Sequence, residues 1–244
     1  MEVTVTEQEN TNKKTLVILA HPNVEGSSSH QFLIQTGQRY GQVDYLDIAS
    51  YYNQDGGFQA DEEVERLLHY DRIIFQFQLF WYQAPAILKI WMDQVFNYQI
   101  IASNVEEIMK GKELGVVVIT GTKGSDYERG GRHNVTLSEL LSPYQAFAKY
   151  WGMTYLPHFS LHQLNLMTDS QKHQAMLDYI VYLNEGYVDS FRKRQQQLIH
   201  ILHTIESKDG QRLVESHPTF QALVNTLEAQ QDQLYDLFDV SKEG

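Results

Sequence analysis

The chain has no cysteine among its 244 residues. That absence removes disulfides, thiolate catalysis and cysteine-held zinc or iron–sulfur centres together. Long hydrophobic runs are missing too: stretches such as Leu16 to Ala20 and Val116 to Ile119 fall far below the roughly 18 residues that a membrane span needs. The opening MEVTVTEQENTNKK lacks the apolar centre of a secretory leader. A soluble, cytoplasmic protein is therefore expected, with residues 1–13 as a flexible polar arm. Positive charge is scarce, with 19 Lys+Arg against 31 Asp+Glu and a net charge of −12, so no nucleic-acid partner is expected. What is abundant is core material. With 42% hydrophobic and 12% aromatic residues, the chain can bury a sizeable interior.

Short apolar runs rich in β-branched residues alternate with stretches of helical period, the pattern of a parallel sheet with crossover helices. Five strands are predicted: TLVILA from Thr15, QVDYLDI from Gln42, RIIFQF from Arg72, ELGVVVIT from Glu113 and MTYLPHF from Met153. Helices are predicted over Ser29 to Tyr40, Asp61 to Tyr70, Ala86 to Phe96 and Leu137 to Tyr150. Right-handed crossovers and five parallel strands favour the flavodoxin-like doubly wound α/β order 2-1-3-4-5, which needs no sixth strand. In such sheets ligands sit beyond the carboxyl ends of the strands, so the loops after strands one, three and four are the places to look. From about residue 186 strands give way to helical spacing at Phe220, Leu223, Val224 and Leu227. The expected organisation is a domain over 14–185 and a helical extension over 186–244. Charge is spread over both parts, and RKRQQQ from Arg192 reads as a solvated helix face.

The first loop runs His21-Pro22-Asn23-Val24-Glu25-Gly26-Ser27-Ser28-Ser29-His30 into a helix. Small hydroxyl residues before a helix can cap it, or can join its free amides in holding a phosphate; composition leaves both readings open. Neither a GxxxxGKS/T loop nor GxGxxG occurs, so neither ATP nor a Rossmann-bound dinucleotide is indicated. The third strand runs into Leu79-Phe80-Trp81-Tyr82, an apolar wall suited to a planar ring or equally to a core. Trp91 and Phe96, on the following amphipathic helix, read as core. After the fourth strand, Thr120-Gly121-Thr122-Lys123-Gly124 leads to Tyr127 and His133. Glycines there let the backbone turn amides toward a ligand edge, and Tyr and His can handle protons.

Together the AHP start, the aromatic turn followed by APAILKIWMDQVF, and the TGxxGSxY…H loop resemble the flavodoxin-like NAD(P)H:quinone oxidoreductases. That family includes ancillary proteins of bacterial glutathione-gated potassium-efflux systems and animal diaphorases, and the resemblance covers Lys14 to Asn184. It implies bound FMN, or FAD as in other members, NAD(P)H as co-substrate, a quinone-like acceptor and a homodimer. By position, His21, Ser27, Ser28, Ser29 and His30 would hold the phosphate side. Leu79, Phe80, Trp81, Tyr82, Ile119, Thr120, Gly121 and Thr122, with Gly124 in the same loop, would border the isoalloxazine ring. Tyr127 and His133 fall where the family places groups that help with charge on the reduced flavin. Gln78 departs from the family's common proline, Lys123 replaces a small residue, and the segment from Phe96 differs.

The expected activity is two-electron ping-pong hydride transfer through the flavin. The alternative is a flavin-binding regulatory subunit of a potassium-efflux antiporter, in peripheral contact with that membrane protein. A hydrolase is not indicated, because there is no GxSxG elbow. His158 and His162, four apart at or past a strand, are not expected to bind metal.

Overall fold

A computed structural model describes residues 13–40, 43–55, 57–97, 100, 107, 109–187, 191–204 and 212–240. The arm over 1–13 lies outside them except for Lys13, as do parts of the segment after Phe96 and of the tail.

Strand β1 (Thr15–Ala20) is buried at every position, as a run of β-branched and leucine residues requires when helices cover both faces. It pairs in parallel with β2 (Val43–Asp47) on one side and β3 (Arg72–Gln78) on the other. Strand β4 (Glu113–Thr120) pairs with β3, giving the order β2-β1-β3-β4-β5 that the sequence predicts. Helices α1 (Ser28–Tyr40), α3 (Ala60–Leu68) and α4 (Ala86–Val95) fall within two residues of their predicted bounds. Trp91 and Phe96 do belong to the core side of the fold. Trp91 is fully buried, packs edge-on against Phe75 and Phe96, and donates Nε1–H to Glu63 Oε2 at 2.9 Å.

Three local features differ from the prediction, each through identifiable residues. The fifth strand is in two pieces, β5 (Thr154–Tyr155) and β6 (Phe159–His162), both parallel to β4. Pro157 lies in the break, where it has no N–H to give a ladder, and pairing resumes at Phe159 and runs three residues beyond the predicted end, to His162. The helix predicted over Leu137 to Tyr150 divides into α5 (Leu137–Leu140) and α6 (Ser142–Tyr150). Pro143 cannot donate to a preceding carbonyl, and Ser142 Oγ takes the Glu139 carbonyl instead at 2.8 Å. An extra helix, α2 (Ile48–Asp55), follows β2. Its start is capped by Asp47 Oδ1, which accepts from the amides of Ala49 and Ser50.

By internal contacts the chain divides into units Met1–Leu166 and Met167–Gly244. The second is helical in its described residues: α7 (Asp169–Glu185), α8 (Phe191–Thr204), α9 (Leu213–Ser216) and α10 (Pro218–Val240). Helix α8 packs on α7, α9 and α10, with Gln195 Nε2 donating to the Leu227 carbonyl at 2.9 Å. Among the described residues no helix is long and apolar enough to cross a membrane.

Candidate active site at the carboxyl edge of the sheet

The loop after β1 is shaped by its own side chains. His21 Nδ1 accepts from the Asn23 amide at 3.1 Å, and Asn23 Oδ1 accepts from the Gly26 amide at 2.9 Å. Ser27 Oγ lies 3.0 Å from His30 Nδ1, one turn into α1. The first-turn amides of α1 have no acceptor within their own helix, and the helix dipole is positive there. His30 is fully buried, its ring 4.7 Å from that of His21, and its Nε2 has no hydrogen-bond partner among the described residues.

Burial, with a smaller contribution from His21, pushes the His30 pKa down from the ordinary 6.5 to about 3. The imidazole is therefore neutral in the folded protein. Between 6.5 and about 3 the unfolded chain takes up a proton that the folded site refuses. Stability from this residue is thus complete above 6.5 and is lost as the pH falls toward about 3, with a slope of at most about 1.4 kcal/mol per pH unit. Urea titrations across that window are expected to show a shallower slope for His30→Gln than for the wild-type chain; equal slopes would remove the assignment.

The loop after β3 makes a tight turn. Phe80 and Gln83 exchange backbone hydrogen bonds at 2.9 and 3.0 Å, with Trp81 and Tyr82 between them at φ 47° and 67°. Two consecutive left-handed residues with full side chains cost on the order of 1–3 kcal/mol each and concentrate at functional positions. Trp81 stands 92% exposed at the tip of this turn. The turn is tied to its neighbours on both sides: Leu79 donates its amide to the Ile119 carbonyl at 2.9 Å, and Phe80 lies 5.8 Å from the His21 ring.

The loop after β4 folds back on itself through a 3-10 turn at Gly124–Tyr127. A Cβ at Gly131 would stand 2.3 Å from the Ser125 carbonyl oxygen, so only glycine permits the return. Tyr127 and His133 come together as rings 4.6 Å apart at 31°. The His133 nitrogens turn elsewhere, Nδ1 to Tyr82 Oη at 3.1 Å and Nε2 to Thr122 Oγ1 at 3.5 Å. His133 thus bridges the aromatic turn and the glycine loop. The Tyr127 hydroxyl has no partner among the described residues.

A cavity of about 350 Å³ lies between the first and third of these loops. His21, Ser27, Ser28, Ser29, Ile119, Thr120 and Gly121 line it, as predicted site residues brought to one place. His30, fully buried and in contact with Ser27, does not line it. Phe80 instead lines a neighbouring hollow with Pro22 and Ile87, while Tyr82 and Thr122 join the His133 cluster. Leu79, Trp81 and Gly124 line neither space.

The far wall comes from a loop the sequence reading did not select. Gln163 (φ 49°), Leu164, Asn165 and Leu166 follow β6 and close the cavity, with Ser28 Oγ donating to Asn165 Oδ1 at 3.3 Å. His162, at the end of β6, lies 2.7 Å by Nδ1 from Thr120 Oγ1. Burial lowers its pKa, partly opposed by the backbone of Thr122 nearby. The rule that ligands gather beyond strand ends would have selected this segment had the fifth strand been carried to His162. No group of three His, Asp or Glu among the described residues could hold a metal.

This strand order and a cavity at its carboxyl edge carry a family assignment, and residues 13–183 match the flavodoxin-like fold family. The chain belongs to that family. Among flavodoxin-like relatives, a Bacillus subtilis protein named as an uncharacterized NAD(P)H oxidoreductase, YrkL, is 37% identical over 172 residues, which is 68% of this chain and 97% of the relative. A solved NADPH-quinone reductase from P. pentosaceus is 34% identical with a TM-score of 0.62, covering 70% of this chain and 97% of that one. General stress protein 14 of Treponema denticola, solved in complex with FMN, is 26% identical with a TM-score of 0.61, covering 70% and 98%. The flavodoxin-like match thus takes in the sheet, every loop of the cavity and α7 up to residue 183.

Proposed function

We propose that the protein is a flavin-dependent NAD(P)H:quinone oxidoreductase that holds FMN across the carboxyl edge of its sheet. The observation that carries this reading is one cavity shared by a hydroxyl-lined helix start and a glycine loop, flanked by a strained, exposed aromatic turn. The donor set fits a flavin. Serine hydroxyls and first-turn amides suit a phosphate, and the buried His30 keeps an unpartnered ring nitrogen close by. The exposed faces of Trp81 and Tyr82 suit a planar ring. The names of the relatives and the FMN complex of one of them lend further support.

Bound flavin would supply two-electron transfer from NAD(P)H to a quinone-class acceptor. The chain's own groups bind, orient and hold protons. Ser27, Ser28 and Ser29 would take the phosphate, and the buried His30, 3.0 Å by Nδ1 from Ser27 Oγ, would orient that serine without bringing a charge. Amides of Thr120 to Thr122 would stabilise the negative charge that grows on the polar rim of the ring on reduction. Tyr127 would offer its hydroxyl as a proton donor to the reduced ring. His133, held from both sides by Tyr82 and Thr122, keeps Tyr127 in place through ring contact. The reading includes a homodimer, supported by an apolar groove of about 750 Å³ between α4 and α6, lined by Met92, Phe96, Tyr144 and Phe147.

Purified full-length protein is expected to carry or take up one FMN per chain, to sediment at twice the chain mass, and to oxidise NADPH or NADH with a quinone. Turnover without any membrane fraction favours the enzyme over an ancillary transporter subunit. A protein that refuses every added flavin would sink the proposal.

A further inference from the structure

The Thr120 hydroxyl has a single proton, and it is committed: Oγ1 donates to the Thr122 carbonyl at 2.9 Å. Toward His162 Nδ1, 2.7 Å away, the same oxygen can therefore only accept. The proton between them belongs to the imidazole. Nε2 is then bare, and Ser160 Oγ, at 3.0 Å, donates to it. A directed chain runs from Ser160 through His162 and Thr120 to the Thr122 carbonyl.

The same ring supports the next turn of the loop. A Cβ added at Gly124 would meet His162 Nε2 at 3.2 Å, so the backbone lies against the imidazole, and the Tyr127 ring is 6.4 Å away. On the backbone side, Thr120 and His162 are partners in the β4–β6 ladder, and the Gln163 amide donates to the Thr120 carbonyl at 2.9 Å. Thr120 bonds this side chain directly and Gly124 lies against it, although the imidazole lines no part of the cavity.

We infer that His162 is a positioning residue for the flavin-facing loop, acting as a neutral Nδ1-protonated imidazole that fixes the Thr120–Thr122 turn. This inference rests on the proposed function for its consequence, but not for its geometry. Replacement by leucine removes the donor and leaves the buried Thr120 oxygen with one bond fewer. Asparagine places an amide N–H close to where Nδ1–H stood and should rescue the loop.

Three measurements on the full-length chain test it, the first two without flavin. Long-range proton–nitrogen NMR is expected to find His162 as the Nδ1–H tautomer; the Nε2–H form overturns the inference. Amide exchange at Gly121 and Thr122 is expected to speed up about tenfold or more in His162→Leu and to return toward the wild-type rate in His162→Asn. Unchanged exchange in His162→Leu also overturns it. After loading with FMN, His162→Leu should shift the flavin midpoint potential and visible spectrum, and His162→Asn should bring both back; a potential and spectrum identical in all three proteins defeat the positioning role. If the leucine variant fails to fold, the tautomer and the asparagine variant still decide. A chain that takes up no flavin would defeat the proposed function while leaving the tautomer and exchange results intact.

Discussion

Ser28→Glu is expected to weaken FMN binding by about a hundredfold or more while leaving the fold at least as stable. Ser28 is the exposed first residue of α1 and lines the cavity. A carboxylate in the first turn of a helix is favourable by about 0.3–1 kcal/mol, because the amides and dipole there attract negative charge. The same carboxylate would occupy the ground proposed for a phosphate. Two like charges about 4 Å apart repel by about 4 kcal/mol at an effective dielectric near 20, and solvent screening reduces that toward the expected loss. Riboflavin, which has no phosphate, supplies the control. Quenching of flavin fluorescence should show FMN affinity collapsing in Ser28→Glu while riboflavin affinity stays near the wild-type value, and thermal unfolding should show no loss. Parallel losses for both flavins would mean that the ring, not the phosphate, lies at the helix start.

Tyr127→Phe is expected to keep FMN bound and to slow its reduction by NAD(P)H about a hundredfold. The substitution removes only a hydroxyl, and that hydroxyl has no partner among the described residues, so folding loses little. A single well-placed donor to developing negative charge is worth about 2.7–4 kcal/mol in rate. Tyr82→Phe is expected to slow the same step by less. Tyr82 acts one contact further out, through its 3.1 Å bond to His133 Nδ1. Stopped-flow absorbance at a saturating nicotinamide concentration separates the step from binding. Equal rates in Tyr127→Phe and wild-type protein would remove Tyr127 from the chemistry, whatever becomes of the flavin.

The bounds of α1, α3 and α4 were legible because they depend on short-range pattern, and the strand order followed from the crossover rule and the count of strands. TLVILA and ELGVVVIT are buried on both faces, and such runs need no knowledge of their neighbours to be recognised. The serine loop was legible as a helix start, and its two readings, cap and cradle, are both open to the sequence. The break at Pro157 could have been read from the missing N–H, and α2 from the aspartate at its start. His162 was harder. With His158 it reads from the sequence as a core or surface histidine rather than a metal ligand, and its partner, Thr120, is 42 residues away in the chain.

The sequence by itself determined a parallel α/β sheet and three of the loops at its carboxyl edge, because period, β-branched runs and turn chemistry are written within a few residues, and the crossover rule then limited the strand order. The tertiary structure alone decided which groups meet: the bridge from Tyr82 through His133 to Thr122, the fourth loop that closes the cavity, and the support His162 gives from below. Strand pairing sets those contacts across the sheet, and pairing brings together residues whose separation along the chain carries no signal of their distance in space.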